Sequence, residues 1–353
     1  MVVAIDPFTR YQQQAELVSA VSALNQVSAA PELAQRIRAF LEEMARGGLD
    51  GLAMTQLISA FNDQLTIRLI ECVASNYHLP SVDWCWLALG SEGRHEQTFV
   101  TDQDNGLVFN ALDEQEANAL RRSFLPFAEE VNQRLADCGF ALCPGNIMAG
   151  NPAWCLSFTE WRSRFIDWVR RPDPTALLNA SIFFDLRPLA GNLKLGEVLR
   201  GQILDLTEEN SLFLHLMAAN ALQVDVPLGI LGDVATDDDG YVDLKKFGSR
   251  IFVDAARIFA LGKRGESVNT VERFNGAATS VVGSPKENAA VDAAFSHILR
   301  LRLEQQLADQ AAGRPASCNL KVADLNDLDR VILRESLKQA RRVQARLKLN
   351  YGL

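Results

Sequence analysis

Histidine is scarce, four residues in 353, and no histidine–carboxylate cluster has the spacing of a zinc site. No Ser/His/Asp constellation presents itself either, which removes acyl transfer by a serine nucleophile. The six cysteines, at 72, 85, 138, 143, 155 and 318, form no C-x-x-C pair and no regular framework. Reduced thiols in a cytoplasmic protein are therefore expected rather than disulfides or a zinc knuckle. Basic charge is also in deficit. A net charge of -9 argues against a general nucleic-acid binder, which must neutralise phosphates, but leaves room for a nucleotide held by a few local groups. No uninterrupted apolar run reaches membrane-spanning length, and Met-Val-Val-Ala-Ile-Asp-Pro at the N-terminus lacks a leader pattern, so no membrane partner is expected. Internal repeats and low-complexity tracts are lacking too.

What is present is an ordinary globular composition, 48% hydrophobic and 22% charged, in a chain long enough for two or three domains. Residues 1–80 read as helical: Met54, Leu57, Ile58, Phe61, Leu65, Leu69 and Val73 recur at helical spacing, and an earlier helix starts near Pro31 and stops at Gly47-Gly48. His78 falls in the loop that follows. Residues 81–152 alternate between strand and helix. Strands are expected at Trp84–Leu89, around the aspartates up to Phe109, at Phe140–Cys143 and at Ile147–Ala149, with a covering helix over 113–137 that buries Leu120, Phe124, Phe127, Val131 and Leu135. Residues 153–353 read as a helical domain. Ser157-Phe-Thr-Glu160 is a capping-box pattern opening a helix with Trp161, Phe165 and Trp168. An apolar helix runs through Ile182 to Asp185-Leu-Arg187, and helices continue to about residue 230 and then over 251–262, 269–280, 289–311 and 325–348. Phe295, Leu299, Leu303 and Leu307 form one stripe; Leu328, Ile332, Leu337, Ala340, Val343 and Leu347 form another. The fold class is α+β, a small sheet domain with a helical N-terminal cover and a C-terminal helical bundle.

The chemistry concentrates in Leu87-Ala-Leu-Gly-Ser-Glu-Gly-Arg-His-Glu-Gln-Thr-Phe-Val-Thr-Asp-Gln-Asp-Asn-Gly-Leu107. Gly90 permits close backbone approach, Ser91 can donate a hydroxyl to a phosphate oxygen, and Arg94 offers a planar donor fork. In an extended chain residues two apart face the same way, so Asp102 and Asp104 project side by side and repel unless a cation relieves them. Oxygen ligands favour Mg²⁺ or Mn²⁺. Other charged features have plainer readings. Asp237-Asp-Asp-Gly240 fails the calcium-loop register and reads as a polar turn before Tyr241. Lys245, Arg257 and Arg273 read as lone surface cations, and the basic face of the last helix, Arg330 to Lys348, as solvated. Asp185 and Arg187 either form a structural ion pair or face a nucleotide.

Gly90-Ser91, ten residues, then Asp102-Gln103-Asp104 resembles the signature of the polymerase-beta-like nucleotidyltransferase superfamily. Within it, Gly90-Ser-Glu-Gly-Arg-His-Glu-Gln97 and Thr101-Asp-Gln-Asp-Asn105 resemble a bacterial group of signalling nucleotidyltransferases. That group is often fused to CBS-pair and cyclic-nucleotide-binding domains and is related to the uridylyltransferase of the P-II nitrogen signal protein. Cys143-Pro-Gly-Asn-Ile-Met148, Asn151-Pro, Phe183-Phe-Asp-Leu-Arg187, Asp243-Leu-Lys245, Ala256-Arg257-Ile and Asn269-Thr-Val-Glu-Arg273 extend the likeness over most of the chain. It implies transfer of a nucleoside monophosphate from an NTP to a protein or small-molecule acceptor, such as a regulatory protein. Asp102 and Asp104 would be catalytic and hold Mg²⁺; Gly90, Ser91, Arg94, Glu96, Gln97, Asp185 and Arg187 would bind the nucleotide. The alternative it leaves open is a catalytically degenerate nucleotide-binding regulatory module. Active relatives carry a third carboxylate on a later strand, and Phe140-Ala-Leu-Cys143 has none; Glu96, Asp137 and Asp185 are the acids that could substitute.

Overall fold

The computed structural model describes residues 7–229, 232–277 and 284–353. The N-terminal residues 1–6, residue 230 and the end of the helix expected over 269–280 lie outside it. In chain order the elements are α1 (Pro7–Ser22), α2 (Ala30–Arg46), α3 (Gly51–Ala74), β1 (Trp84–Ala88), α4 (Gly90–Gly93), β2 (Asn105–Phe109), α5 (Glu114–Asp137), β3 (Cys155–Ser157) and α6 (Phe158–Arg170). There follow α7 (Pro174–Phe183), β4 (Arg187–Gly191), α8 (Leu193–Glu208), α9 (Ser211–Ala221), β5 (Tyr241–Asp243), α10 (Arg250–Leu261), α11 (Thr270–Ala277), α12 (Pro285–Ala311), β6 (Asn319–Lys321) and α13 (Asp327–Tyr351). The fold is α+β, as the alternation of periods predicts. No described helix is long and apolar enough to cross a membrane. The chain divides into two compact units: residues 1–49, 53–163 and 186–200 form the first, and 50–52, 164–185 and 201–353 the second.

The first unit is built on a four-stranded sheet in the order β3-β2-β1-β4. β1 pairs antiparallel with β2 (Ala88 opposite Asn105, Trp84 opposite Phe109) and with β4 (Ala88 opposite Arg187), while β3 runs parallel to β2. Every residue of β2 is buried, which is why these strands read as apolar runs rather than as alternation. One side of the sheet takes α5. Phe124 stacks on Phe109 at 5.3 Å between ring centroids, and Phe127 meets Trp84 edge-on at 5.5 Å. Each such fully buried ring contributes roughly 1.5–3 kcal/mol. The capping box is realised: the Ser157 backbone N–H donates to Glu160 at 2.8 Å, and the Glu160 N–H donates back to the Ser157 hydroxyl at 3.3 Å. It starts α6, whose Trp161 donates its indole N–H to the Leu107 carbonyl at 3.1 Å.

Two strand expectations are corrected. Phe140–Cys143 and Ile147–Ala149 form no strands; the first meets the aspartate segment through a single parallel bridge, Asp102 with Ala141. The backbone N–H groups of Ala149 and Gly150 go instead to the side-chain oxygens of Asn105 and Asn132, both at 2.8 Å, so no ladder partner remains for them. The third strand is β3, further along. The fourth, β4, replaces the expected helical end at Asp185-Leu-Arg187. Pro188 lacks a donor, and a sheet tolerates that at an edge, where β4 lies.

The second unit is a helical assembly. Phe295, Leu299, Leu303 and Leu307 are buried on α12 as their spacing predicts. Ser284 caps this helix with Glu287 in a full capping box, and α13 packs along it. On α13 the expected stripe is corrected at its start: Leu328 is 68% exposed and Ile332 37%, and the buried line runs Leu333, Leu337, Ala340, Val343, Leu347. Asp237–Gly240 is a turn, with the Gly240 N–H on the Asp237 carbonyl at 3.1 Å. All six cysteines are free.

The larger correction is at Arg257 and Arg273, which are not surface cations. Each is 2% exposed, and both grip the fully buried Asp185. Arg257 takes both carboxylate oxygens, at 2.9 and 2.6 Å, and Arg273 donates at 2.6 Å to one of them. Arg257 also reaches Asp254 at 2.7 Å. Burial alone would push the Arg257 guanidinium down, but Asp185 and Asp254 together hold it above its ordinary value. Partners more than seventy residues apart leave no local signal for pattern reading to find.

Candidate metal and nucleotide site

The turn after β1 is made by backbone. Leu89 donates its N–H to the Asp104 carbonyl at 2.9 Å, so the end of the first strand is tied to the second aspartate. Gly90 then turns with φ +54° into the single helical turn α4. A Cβ on Gly90 would lie 2.7 Å from Oδ2 of Asp104, and only glycine allows both the backbone angle and that approach. Ser91 is half-buried on this turn, and its carbonyl accepts from the Glu96 N–H at 2.9 Å.

Asp102 and Asp104 stand on the extended segment entering β2, with Asp102 in the bridge to Ala141. Alternation sends the intervening Gln103, and Asn105 beyond, to the opposite, buried side. There the Asn132 amide of α5 donates to Gln103 at 2.8 Å and to Asn105 at 3.0 Å, and Gln103 donates to the carbonyls of Asn132 and Phe140 at 2.9 and 3.0 Å. This amide network holds the aspartates from behind. In front, the Cys143 thiol donates to Oδ1 of Asp104 at 3.3 Å. The ligand atoms of Asp102, Asp104 and Cys143 all lie within 4.8 Å of one another. Two carboxylates that close fit a divalent cation, which needs hard oxygen ligands and relieves their repulsion.

A second layer of charge surrounds them. Glu92 of α4 is 7% exposed, and among the described residues its carboxylate accepts no hydrogen bond. Burial, Asp63 and Asp104 push it up to about 8, against the opposing pull of Arg187. Asp63, from α3, is also raised by burial, although Arg187 and His95 draw it the other way. Arg187 bonds Asp63 at 2.9 Å and the carbonyls of Glu92 and Gly93 at 3.1 and 3.2 Å, tying β4 to α4. His95, with φ +58°, places Nδ1 3.4 Å from Asp63. Burial lifts the Cys143 thiol to about 11.

The remaining sequence candidates separate. Arg94 pairs with Glu96 at 2.7 Å, and Glu96 is buried. Gln97 is buried as well, donating to Thr101 and accepting from Asn62, so its amide braces the loop. Asp185 belongs to the second unit and to the arginine clamp there. Sequence reasoning gave no role at the site to Asp63, Glu92, Cys143, Gln103, Asn105 or Asn132. A usable signal existed for two of them: in Asp102-Gln-Asp-Asn105 the alternation that faces the acids outward must bury the amides.

A family model described as "Putative nucleotidyltransferase DUF294" matches residues 35–175, and one described as "Putative nucleotidyltransferase substrate binding domain" matches residues 211–351. No curated protein matches the chain.

Proposed function

Because this chain belongs to the DUF294 nucleotidyltransferase family, whose two models match residues 35–175 and 211–351, we propose that it transfers a nucleoside monophosphate from an NTP to a protein or small-molecule acceptor in signalling, with a divalent ion, Mg²⁺ or Mn²⁺, held by Asp102 and Asp104. The observation that carries this reading is the convergence of the two carboxylates on the Gly90 turn, where an added methyl would strike Asp104. The bare Cα of Gly90 makes room for the Asp104 carboxylate, and in this reading a substrate phosphate meets the turn at Gly90 and Ser91 with the acids holding the ion beside it. In the same reading the Ser91 hydroxyl donates to that phosphate. Arg187 holds α4 by its carbonyls and keeps that turn in place. When bound, the ion supplies charge neutralisation for the triphosphate and the leaving pyrophosphate.

One observation favours a second reading, nucleotide binding without turnover. The segment beside the aspartates offers a thiol, Cys143, and no carboxylate to accept the proton of an attacking hydroxyl. Thermal shift against ATP, UTP, CTP and GTP with the ion, followed by a search for labelled product from each labelled NTP in lysate, separates the two. Transfer requires both a stabilised protein and a labelled product; stabilisation alone selects the regulatory module. With Asp102→Ala and Asp104→Ala together, ion-dependent NTP binding and pyrophosphate release should both disappear. Survival of either would move the site elsewhere.

A further inference from the structure

The parallel bridge between Asp102 and Ala141 sets a register with a chemical result. Two residues beyond Asp102 stands Asp104; two residues beyond Ala141 stands Cys143. Alternation brings the pair to one face, and Sγ of Cys143 lies 3.3 Å from Oδ1 of Asp104. The backbone itself, through the Gln103 N–H on the Ala141 carbonyl at 2.8 Å, holds the thiol level with the acid. Glu92, 7% exposed and with no hydrogen bond to its carboxylate, is raised by burial and by the Asp63 and Asp104 charges, so negative charge is crowded around the pair. Sulfur is a poor ligand for Mg²⁺, which takes oxygens, and a good one for the ions toward the end of the first transition row.

We infer that Asp102, Asp104 and Cys143 together bind a thiophilic divalent cation of the Zn²⁺ and Co²⁺ kind, through two carboxylates and one thiolate, more tightly than they bind Mg²⁺. This rests on the reading of the aspartates as an ion-holding pair and adds the third ligand and the class of ion. As the metal–sulfur bond forms, the thiol proton leaves to solvent, and no electron changes hands.

The test is a titration of the chelator-treated protein with Co²⁺. The wild type should develop a sulfur-to-cobalt charge-transfer absorption that Cys143→Ser lacks. In that variant Co²⁺ and Zn²⁺ affinities should fall at least about tenfold and Mg²⁺ affinity far less. A wild-type complex without the band, or a band that survives in Cys143→Ser, overturns the inference. The wild type alone gives a second reading: Zn²⁺, and not Mg²⁺, should slow alkylation of Cys143, followed on its own peptide by mass spectrometry, and equal rates would sink the idea. Asp102→Asn with Asp104→Asn distinguishes the two levels. If Co²⁺ binding is unchanged there, the aspartate reading itself is lost; if it vanishes there while the Cys143 readouts stay flat, only the third ligand is lost.

Discussion

At the scale of single residues, the site depends on groups whose neighbours make any replacement visible. Gly90→Ala sets a methyl 2.7 Å from an Asp104 oxygen at a φ of +54°. The strained backbone should cost on the order of 1–3 kcal/mol in denaturant titrations and remove ion-dependent nucleotide binding. Glu92 gives a pH signature. Its folded carboxyl, at about 8, takes up a proton more readily than the unfolded chain does. The stability this lends the ion-free protein is therefore full below the ordinary carboxyl range and is lost as pH rises towards about 8. Melting temperatures of Glu92→Gln should lack that decline, and an unchanged slope would show that another group titrates. Asp102 and Asp104 were legible in the sequence because their spacing alone makes them neighbours. Glu92 and Cys143 were not, since what marks them is burial and a contact across a loop.

At the scale of elements, the aspartate segment is held by side-chain amides where a ladder would be expected. Asn132→Ala would strand the Gln103 and Asn105 carbonyl oxygens and the Gly150 N–H in a buried setting. A loss of about 1–3 kcal/mol is expected, with weaker ion binding, because the same amides set the angle of the acids. Equal ion affinity in variant and wild type would confine the network to stability. The long helices were legible from periodicity, and α6 from its Ser157 cap, whereas the cap at Ser284 went unread and α12 starts ahead of the expected residue 289. The third and fourth strands were misplaced for a common reason: pattern reading sees the apolar run of Phe140 to Cys143, but cannot see that its neighbours' backbone groups are claimed by asparagines, nor that Pro188 sits harmlessly at an edge.

At the scale of the whole molecule, the second unit contains the most heavily buried charge, the Asp185 carboxylate between Arg257 and Arg273. Asp185→Asn leaves two buried guanidinium groups short of charge, so a destabilisation of about 3–5 kcal/mol is expected by urea unfolding. Near-neutral behaviour would mean that Asp254 and the Phe184 carbonyl suffice for them. The overall class was legible because strand and helix periods segregate along the chain. The clamp was hidden because its members come from the approach to β4, from α10 and from α11.

The order of the sheet also bears on how the protein is made. β1 is a central strand, yet one of its partners, β4, is encoded about a hundred residues later, after a stretch that belongs to the second unit. At roughly 5–20 residues per second a ribosome takes about 5–20 s to deliver it. Throughout that interval one edge of β1 has no strand to pair with, and Arg187, which fastens the Gly90 turn, has not yet emerged. Nascent chains would thus carry the aspartates long before they carry the piece that shapes the turn beside them, and premature termination would leave an open edge ready to pair with another chain.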